Sequence, residues 1–252
     1  MSPLVHGSAA YLLAGAAGLE RRSRRLAFFA GFAGDLDAAG LFYSAQVYEA
    51  THHSWGHSVV FAVLVAGLFW AASRDLRVRT AFVLLAASFG HLLFDFFGSN
   101  WPMMLLWPFS TARWGSQALL SDGTIFYIIN PVVCALLLAG ILWYAVRAGR
   151  TPLEAIWPPL DGLMVGAIRG YFTLRCVTEE CPHRSFAVCA GCGKPSCSIH
   201  TSLGKGLRPL CASCSGAEKG FKISVRIALM VSAVFTALFA AGMSVILSRI
   251  WS

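Results

Sequence analysis

The chain alternates long apolar runs with short polar connections. Six of these runs approach the length of about 20 residues that a bilayer-spanning helix needs. They cover residues 4–19, 26–43, 57–73, 80–97, 124–146 and 223–248. This pattern predicts an all-α polytopic membrane protein with about six transmembrane helices.

Two further apolar stretches are interrupted by proline. Residues 98–123 contain Trp101-Pro102 and Trp107-Pro108, and residues 155–172 contain Pro158-Pro159. Proline removes a helical hydrogen bond and kinks or ends a helix. We therefore expect the first stretch to lie in the membrane interface or to form a lid, and the second to be an interfacial or packing segment.

Composition and charge agree with a membrane protein and give it an orientation. Only 13% of the residues are charged and 57% are hydrophobic, whereas a soluble domain has about 25% charged residues. Loops 20–25 and 74–79 carry seven arginines, and loop 44–56 carries no basic residue. The positive-inside rule therefore predicts a cytoplasmic location for the two basic loops and for segment 147–222, with both termini outside.

Histidine and aspartate occur at four places in or beside the first four apolar runs. They are His6, then Asp35 and Asp37, then His52, His53 and His57, and finally His91 and Asp95. Ionisable residues are costly in a bilayer and so suggest function. With the predicted orientation, all four places fall in the outer half of the membrane. Imidazole and carboxylate groups predict a divalent metal site there, for Zn²⁺ or Mn²⁺.

Helical spacing limits which of these residues face one another. His91 and Asp95 share a helix face, as do His53 and His57, because each pair is four residues apart. Asp35 and Asp37 are about 200° apart on a regular helix. Either one of them lies behind the ligands or the helix is distorted beside Gly34. His52 and His57 do not share a face, so one of the adjacent histidines is expected to point elsewhere or to lie in a loop.

Three other interpretations of this cluster remain open. In these alternatives the histidines serve helix packing, two of them hold a haem, or the layer is an ion or proton path. Haem needs no carboxylates, and three aspartates in one layer argue against it.

Several short motifs occur in a characteristic order over residues 1–146. They are His6, Gly34-Asp35-Leu36-Asp37, His52 to Ser58, His91-Leu92-Leu93-Phe94-Asp95 and Leu106-Trp107-Pro108-Phe109-Ser110. This order and spacing resemble the bacterial inner-membrane metal-dependent hydrolase family, which is in turn similar to zinc-dependent phospholipase C. In that family Pro and Thr usually stand at the positions of Gly34 and Gly56.

The resemblance implies hydrolysis of a phosphoester with a metal-activated water as nucleophile. The candidate catalytic carboxylates are those of Asp35, Asp37 and Asp95, and one that is not fully used as a ligand would act as general base. A site in the outer half of the bilayer suits a lipid-linked substrate. The alternatives are a non-catalytic membrane subunit, a metal- or ion-handling protein, or a membrane anchor that recruits a partner.

A second group of metal-binding residues lies before the last apolar run. Its members are Cys176, Cys181, His183, Cys189, Cys192, Cys197, His200, Cys211 and Cys214. The two Cys-x2-Cys pairs and the Cys-x2-His pair predict structural Zn²⁺ rather than a redox dithiol. In an interleaved arrangement, Cys189, Cys192, Cys211 and Cys214 form one site. Cys197, His200 and two of Cys176, Cys181 and His183 form the other.

Residues 192–200 resemble a B-box zinc finger, which implies a protein partner for this module. The module is basic, and we expect contact with membrane lipids rather than nucleic acid. The predicted domains are a hydrolase-like membrane domain (1–146), an interfacial linker (147–172), the zinc module (173–218) and a C-terminal transmembrane helix (219–252). We expect the protein in the bacterial inner membrane, with the zinc module cytoplasmic.

Overall fold

The computed structural model describes residues 2–173, 175–178, 180–204, 207–217 and 223–224, together with residues 227 and 230. Most of this part of the chain is helical. The chain forms two compact units, and the boundary between them lies between Gly140 and Ile141. The domain limits expected from the sequence remain predictions.

The first unit is built from α-helices joined by short connections. They are α1 (Pro3–Ala16), α2 (Arg21–Phe32), α3 (Ala45–Thr51), α4 (Val59–Ser73), α5 (Val78–Gly98) and the start of α6 (Asp122–Ala148). Within α6, residues Ile125–Ile129 form a π-helical segment. Serine caps three of these helices: Ser44 Oγ accepts a hydrogen bond from Val47 N, Ser58 Oγ accepts one from Phe61 N, and Ser121 Oγ accepts one from Thr124 N. Such N-caps satisfy backbone donors that the first helical turn leaves unpaired.

The structure shows fewer long helices than the six predicted spans. In the described residues, Val78–Gly98 and Asp122–Ala148 are long and apolar enough to cross a membrane. A third span is possible if Ala45–His57 and Val59–Ser73, bent by 63°, act as one. The predicted span 223–248 lies almost entirely outside the described residues. Six spans therefore remain a prediction.

The first two predicted spans differ from the observed helices for a local reason. The α1 helix has 14 residues, or about 21 Å at 1.5 Å per residue, and a bilayer core is about 30 Å thick. The α2 helix ends at Phe32, and the chain continues as a 3-10 helix over Ala33–Phe42. The predicted span 26–43 is thus formed by the end of an α-helix and a 3-10 helix that follows it.

Small residues let the helices of the first unit approach closely. Ala10 and Ala14 of α1 and Ala27 and Ala30 of α2 are buried in its core. A Cβ added at Gly31 would collide with the Ala10 side chain and with the backbone of His6. Close packing through small residues is typical of membrane helices. It brings the start of α1 directly against the end of α2.

The segment between α5 and α6 forms no long helix. Met103 and Trp114 pair through two backbone hydrogen bonds of 2.8 Å, and Val59 N at the start of α4 donates to Leu105 O. The Trp107-Pro108 peptide bond is cis. Residues 99–115 form no helix long enough to span, and their backbone pairs with the start of α4. The interfacial or lid position expected for residues 98–123 remains a prediction.

The second unit combines the end of α6 and three further helices with a small β-structure. The elements after the end of α6 are α7 (Leu153–Ile156), α8 (Pro158–Thr173), β1 (Ala187–Val188), β2 (Pro195–Ser196), β3 (Thr201–Leu203), β4 (Pro209–Cys211), α9 (Ala212–Ala217) and β5 (Ile223–Ser224). β1 pairs antiparallel with β2, and β3 pairs antiparallel with both β4 and β5. Pro158 begins α8 instead of breaking it, because proline is tolerated in the first turn.

Candidate metal centres

Four of the predicted residues in the first unit place ligand atoms around one point. Asp35, His57, His91 and Asp95 each offer an atom that lies within 4.8 Å of the others. They come from the 3-10 helix, from the residue before the cap of α4, and from one face of α5. His91 and Asp95, four residues apart in α5, share the face that their spacing predicted.

Hydrogen bonds hold the two imidazoles with their Nε2 atoms facing each other. His91 Nδ1 donates to Gly31 O at 2.8 Å, and His57 Nδ1 donates to Asp37 Oδ2 at 2.9 Å. Histidines that bind metals are usually anchored in this way through the other nitrogen. The two Nε2 atoms then lie 3.1 Å apart, and each has a lone pair directed inward.

When both imidazoles are neutral with the proton on Nδ1, Asp95 completes a set of atoms that all accept hydrogen bonds. Its Oδ2 lies 3.1 Å from His57 Nε2 and 3.4 Å from His91 Nε2. One proton on His57 Nε2 would satisfy either Asp95 or His91, but not both. Two ligands at about 2.1 Å from a tetrahedral ion lie about 3.4 Å apart. The spacing of these atoms therefore fits a divalent cation between them.

Asp37 lies behind the imidazoles. Its carboxylate accepts hydrogen bonds from His52 Nδ1 (3.0 Å), His57 Nδ1 (2.9 Å) and Ser54 N (3.0 Å). Both of its oxygens are thus used to orient other groups. The two possibilities left open by the spacing of Asp35 and Asp37 both hold, because the helix changes to 3-10 geometry beside Gly34 and only Asp35 joins the ligand group.

His52 and His53 both lie beside His57, although regular helix geometry would separate His52 from His57 and one of the adjacent histidines was expected to point elsewhere or to lie in a loop. The three histidines form a second group with ligand atoms within 4.8 Å. His53 has a φ of 60°, in the left-handed region. Its Nδ1 donates to Trp101 O at 2.7 Å, and its carbonyl accepts from Met104 N. His53 therefore joins the 99–115 segment to the cluster.

His6 is buried against the same carboxylate. It is 2% exposed, and its Nε2 lies 3.2 Å from Asp95 Oδ1. Its ring centroid is 4.2 Å from that of His91. Neither ring nitrogen of His6 has a hydrogen-bond partner among the described residues. A buried polar group without a partner is costly, so the His6 imidazole is suited to binding a ligand beside Asp95.

Two glycines that the sequence reasoning did not assign to the site make its close packing possible. A Cβ at Gly34 would collide with the His91 imidazole, and a Cβ at Gly56 would collide with Gly34 O. The backbone carbonyls of Gly31 and Trp101, which orient histidines, were also missed. Glycine directly before Asp35 and before His57 was the available signal, since glycine permits close backbone approach.

The second unit contains two groups of cysteine and histidine ligands. The first is Cys176, Cys181, Cys197 and His200, and the second is Cys189, Cys192, Cys211 and Cys214. The predicted interleaved arrangement is therefore present, and it selects Cys176 and Cys181 rather than His183. The His183 side chain is exposed, and its backbone carbonyl accepts a hydrogen bond from Cys176 N.

Distances within the two groups fit zinc coordination. The Sγ atoms of Cys181 and Cys197 are 3.7 Å apart, as are those of Cys192 and Cys211. Four thiolates at about 2.3 Å from a tetrahedral zinc ion lie about 3.8 Å apart. All the cysteines are free thiols, and these separations are far longer than the roughly 2.05 Å of a disulfide.

Neighbouring groups lower the pKa of some of these thiols and raise the pKa of another. Burial raises the pKa of Cys176, but hydrogen bonds from Thr178, Cys197 and His200 outweigh it and lower the pKa to about 6. Burial likewise raises the pKa of Cys189, and backbone hydrogen bonds around it lower the pKa to about 6. The thiols of Cys192, Cys189 and Cys211 raise the pKa of Cys214 to about 12. A bound cation would let all four thiols of a site ionise together.

The fold and these clusters define a helical membrane protein with a buried His/Asp cluster, followed by a module with two Cys/His clusters. The model of the YdjM inner membrane protein family matches residues 1–168. The chain belongs to this family and is an inner-membrane protein. No curated protein and no solved structure matches the chain.

Proposed function

We propose that the chain is a membrane-embedded, metal-dependent hydrolase of a lipid-linked phosphoester. The observation that carries the proposal is the convergence of His57 Nε2, His91 Nε2 and Asp95 Oδ2, each within 3.4 Å of the next. Buried ionisable residues in membrane proteins mark functional sites. The family resemblance of residues 1–146 supports hydrolysis as the reaction, and the site would face the outer side of the membrane.

In this proposal, His57, His91, Asp95 and Asp35 hold a divalent ion, Zn²⁺ or Mn²⁺. Such an ion polarises a phosphoryl oxygen and lowers the pKa of a coordinated water toward neutrality. Asp37 keeps His57 in the tautomer whose Nε2 faces the ion. Asp35 is the candidate general base, because its buried Oδ2 has no hydrogen-bond partner among the described residues and is free to accept a proton.

A lipid substrate is favoured by the apolar surface beside the cluster. Leu36, between the two aspartates, is 51% exposed, and Phe42 and Tyr43 at the end of the same 3-10 helix are 82% and 83% exposed. Exposed apolar surface of this kind suits acyl or polyprenyl chains. The headgroup linkage of such a lipid would lie near the carboxylates.

Purified protein in lipid nanodiscs tests this proposal. The wild type is expected to release headgroup or phosphate from a phospholipid or a polyprenyl phosphate. Asp95→Asn should lower the rate by about 100-fold or more, since it removes a ligand and charge at the reacting centre. Asp122→Asn, at the exposed start of α6, is the matched control. Absence of hydrolysis from protein that retains its metal would reject the hydrolase and favour a non-catalytic or ion-handling protein.

For the second unit we propose that each Cys/His group binds one structural Zn²⁺ and that the module recruits a cytoplasmic protein. A small module with few buried hydrophobic residues depends on bound metal for its fold. The interleaved ligand order supports a rigid platform, because each ion joins two distant parts of the segment. If cross-linking in cells captured the same partners with wild type and with Cys192→Ser, recruitment by the folded module would be rejected.

A further inference from the structure

The two basic loops of the first unit meet at one end of its helices. Arg22, in the first turn of α2, donates from Nε to Ala72 O near the end of α4 at 2.9 Å. Arg79, in the first turn of α5, donates from Nη2 to Gly18 O, between α1 and α2, at 3.5 Å. The arginines of both loops therefore lie at the same end of the first unit, which is the arrangement that a shared side of the membrane requires.

A cavity lies at this end, beside the start of α2. It has a volume of about 580 Å³ and is lined by Glu20, Arg21, Arg22, Arg25, Leu26 and Phe29. Sites for small ligands have volumes of about 300–1,000 Å³. Three guanidinium groups against one carboxylate leave the lining of this arginine cavity with a net positive charge, so an anion is the ligand that it favours.

The lining changes from charged to apolar along the axis of α2. Arg22, Arg25 and Phe29 are exposed, and their spacings of three and four residues place them on one face of the helix. Leu26 lies beside them and is half-buried. From Arg22 to Phe29 the helix rises about 10 Å, at 1.5 Å per residue. A phospholipid has the same order of groups, since its anionic phosphate is followed by apolar chains.

The fourth arginine of this segment has a different role. Arg24 is buried, its Nη1 donates to Leu19 O at 2.7 Å, and its Cζ lies 5.9 Å from the centre of the Tyr11 ring. These contacts fix the start of α2 against α1. Arg24 therefore stabilises the helix pair, whereas Arg21 and Arg25 present their charge at the cavity.

We propose that the arginine cavity binds the headgroup phosphate of one anionic phospholipid. Arginine pairs with phosphate oxygens through two parallel hydrogen bonds, and Leu26 and Phe29 would contact the first carbons of the acyl chains. The cavity directly precedes the apolar run 26–43, where lipid headgroups lie beside a membrane protein. The positive-inside rule assigns this side to the cytoplasm, and the cytoplasmic leaflet carries anionic lipids.

This position favours a lipid over a soluble phosphoester or an acidic protein, because neither of these needs an apolar surface directly after the arginines. None of the residues that line the cavity belongs to the His/Asp cluster. Binding at the arginine cavity is therefore a separate property from the proposed hydrolysis, and the two can fail independently.

Lipid binding to the full-length protein in neutral detergent tests the proposal. The protein is titrated with phosphatidylglycerol or with phosphatidylcholine of the same acyl chains, and bound lipid is counted by native mass spectrometry. We expect one tightly bound phosphatidylglycerol per chain, held about 10-fold or more tightly than phosphatidylcholine. Arg21→Gln/Arg25→Gln should lower its affinity about 20-fold, because each basic residue near an anionic surface contributes roughly fivefold.

The matched control is Arg74→Gln/Arg113→Gln, which removes the same charge at two exposed residues outside the cavity. Its affinity for phosphatidylglycerol should equal that of the wild type. Glycerol phosphate and a polyglutamate peptide, added at the concentration of the lipid, should not displace it. Equal binding of phosphatidylcholine, displacement by either soluble anion, or an equal loss in the control variant would overturn the proposal.

Stability and hydrolysis are measured on the same proteins. If a lowered thermal midpoint shows that Arg21→Gln/Arg25→Gln is not folded, Arg25→Gln alone should lower the affinity roughly fivefold, and an unchanged affinity would reject the site. Asp95→Asn should bind phosphatidylglycerol as the wild type does, so that lipid binding is scored without hydrolysis. Specific binding by protein that hydrolyses no lipid keeps the arginine cavity and rejects only the hydrolase.

Discussion

His57 and His91 face each other through their Nε2 atoms at 3.1 Å, while their Nδ1 atoms bind Asp37 and the Gly31 carbonyl. With both Nδ1 atoms protonated and both rings neutral, neither Nε2 can donate a proton to the other. The pair is therefore arranged for a shared cation. Changing the groups that orient the imidazoles should therefore affect metal binding, as changing the ligands themselves should.

The Asp37→Asn variant should weaken Mn²⁺ or Zn²⁺ binding in the first unit by about 10–100-fold. An amide cannot accept from His52, His57 and Ser54 as the carboxylate does, and its NH₂ group would face an imidazole N–H. Metal titration of the purified protein measures the change. The control is Glu49→Gln on the exposed side of α3. Equal affinities for Asp37→Asn and wild type would show that Asp37 does not orient His57.

The Gly34→Ala variant should displace His91 and reduce metal binding about as strongly as loss of a ligand. The added Cβ would overlap the His91 imidazole, so either the ring or the 3-10 helix must move. Gly90→Ala, next to His91 on α5, is the matched control because a Cβ there meets no atom within 4 Å. It should raise stability by about 0.5–1 kcal/mol. Metal content and thermal midpoint are measured for both variants. A Gly34→Ala protein with normal metal content would mean that His91 is not a ligand.

Each zinc group should lose its ion independently. The zinc bound by the Cys/His groups is expected to fall from two ions to one per chain in Cys176→Ser, and likewise in Cys192→Ser, because each variant removes one ligand of a different group. His183→Ala and Cys134→Ser should retain both ions. If Cys176→Ser kept two ions while His183→Ala lost one, the assignment of the first group would be wrong.

The Cys/His groups should retain zinc at neutral pH and release it at low pH, because protonated thiols do not bind zinc. The pKa values of Cys176 and Cys189 are lowered from 9.0 to about 6. Because the pKa is lower in the folded module than in the unfolded chain, ionisation of these thiols stabilises the fold fully at pH values above about 9. This stabilisation is lost as the pH falls through about 6. Zinc ions favour the thiolates further, so their release should begin only below about pH 6. A colorimetric zinc chelator measures the release. Retention that is unchanged between pH 8 and pH 4 would contradict thiolate ligation.

The candidate metal-binding residues of the second unit and most of their grouping could be predicted from the sequence, but the last two members of the first Cys/His group could not. Cys-x2-Cys and Cys-x2-His spacings identify ligand pairs, since a short turn brings both side chains to one point. Whether Cys176, Cys181 or His183 completes the first group depends on how β1, β2 and the preceding loop fold. In that loop the side chain of His183 points to solvent.

In the His/Asp cluster, too, the sequence determined which residues take part and the tertiary structure decided their roles. Apolar runs and the four-residue spacing of His91 and Asp95 determined that ionisable groups would share helix faces within an apolar unit. Only the tertiary structure decided that Asp35 approaches the imidazole Nε2 atoms while Asp37 supports them from behind. The reason is the change from α-helix to 3-10 helix after Phe32, in a segment that packs against α3 and α5 and so depends on distant contacts as well as on local preference. The left-handed conformation of His53 was likewise set by its hydrogen bonds to the distant residues Trp101 and Met104, which no local sequence pattern encodes.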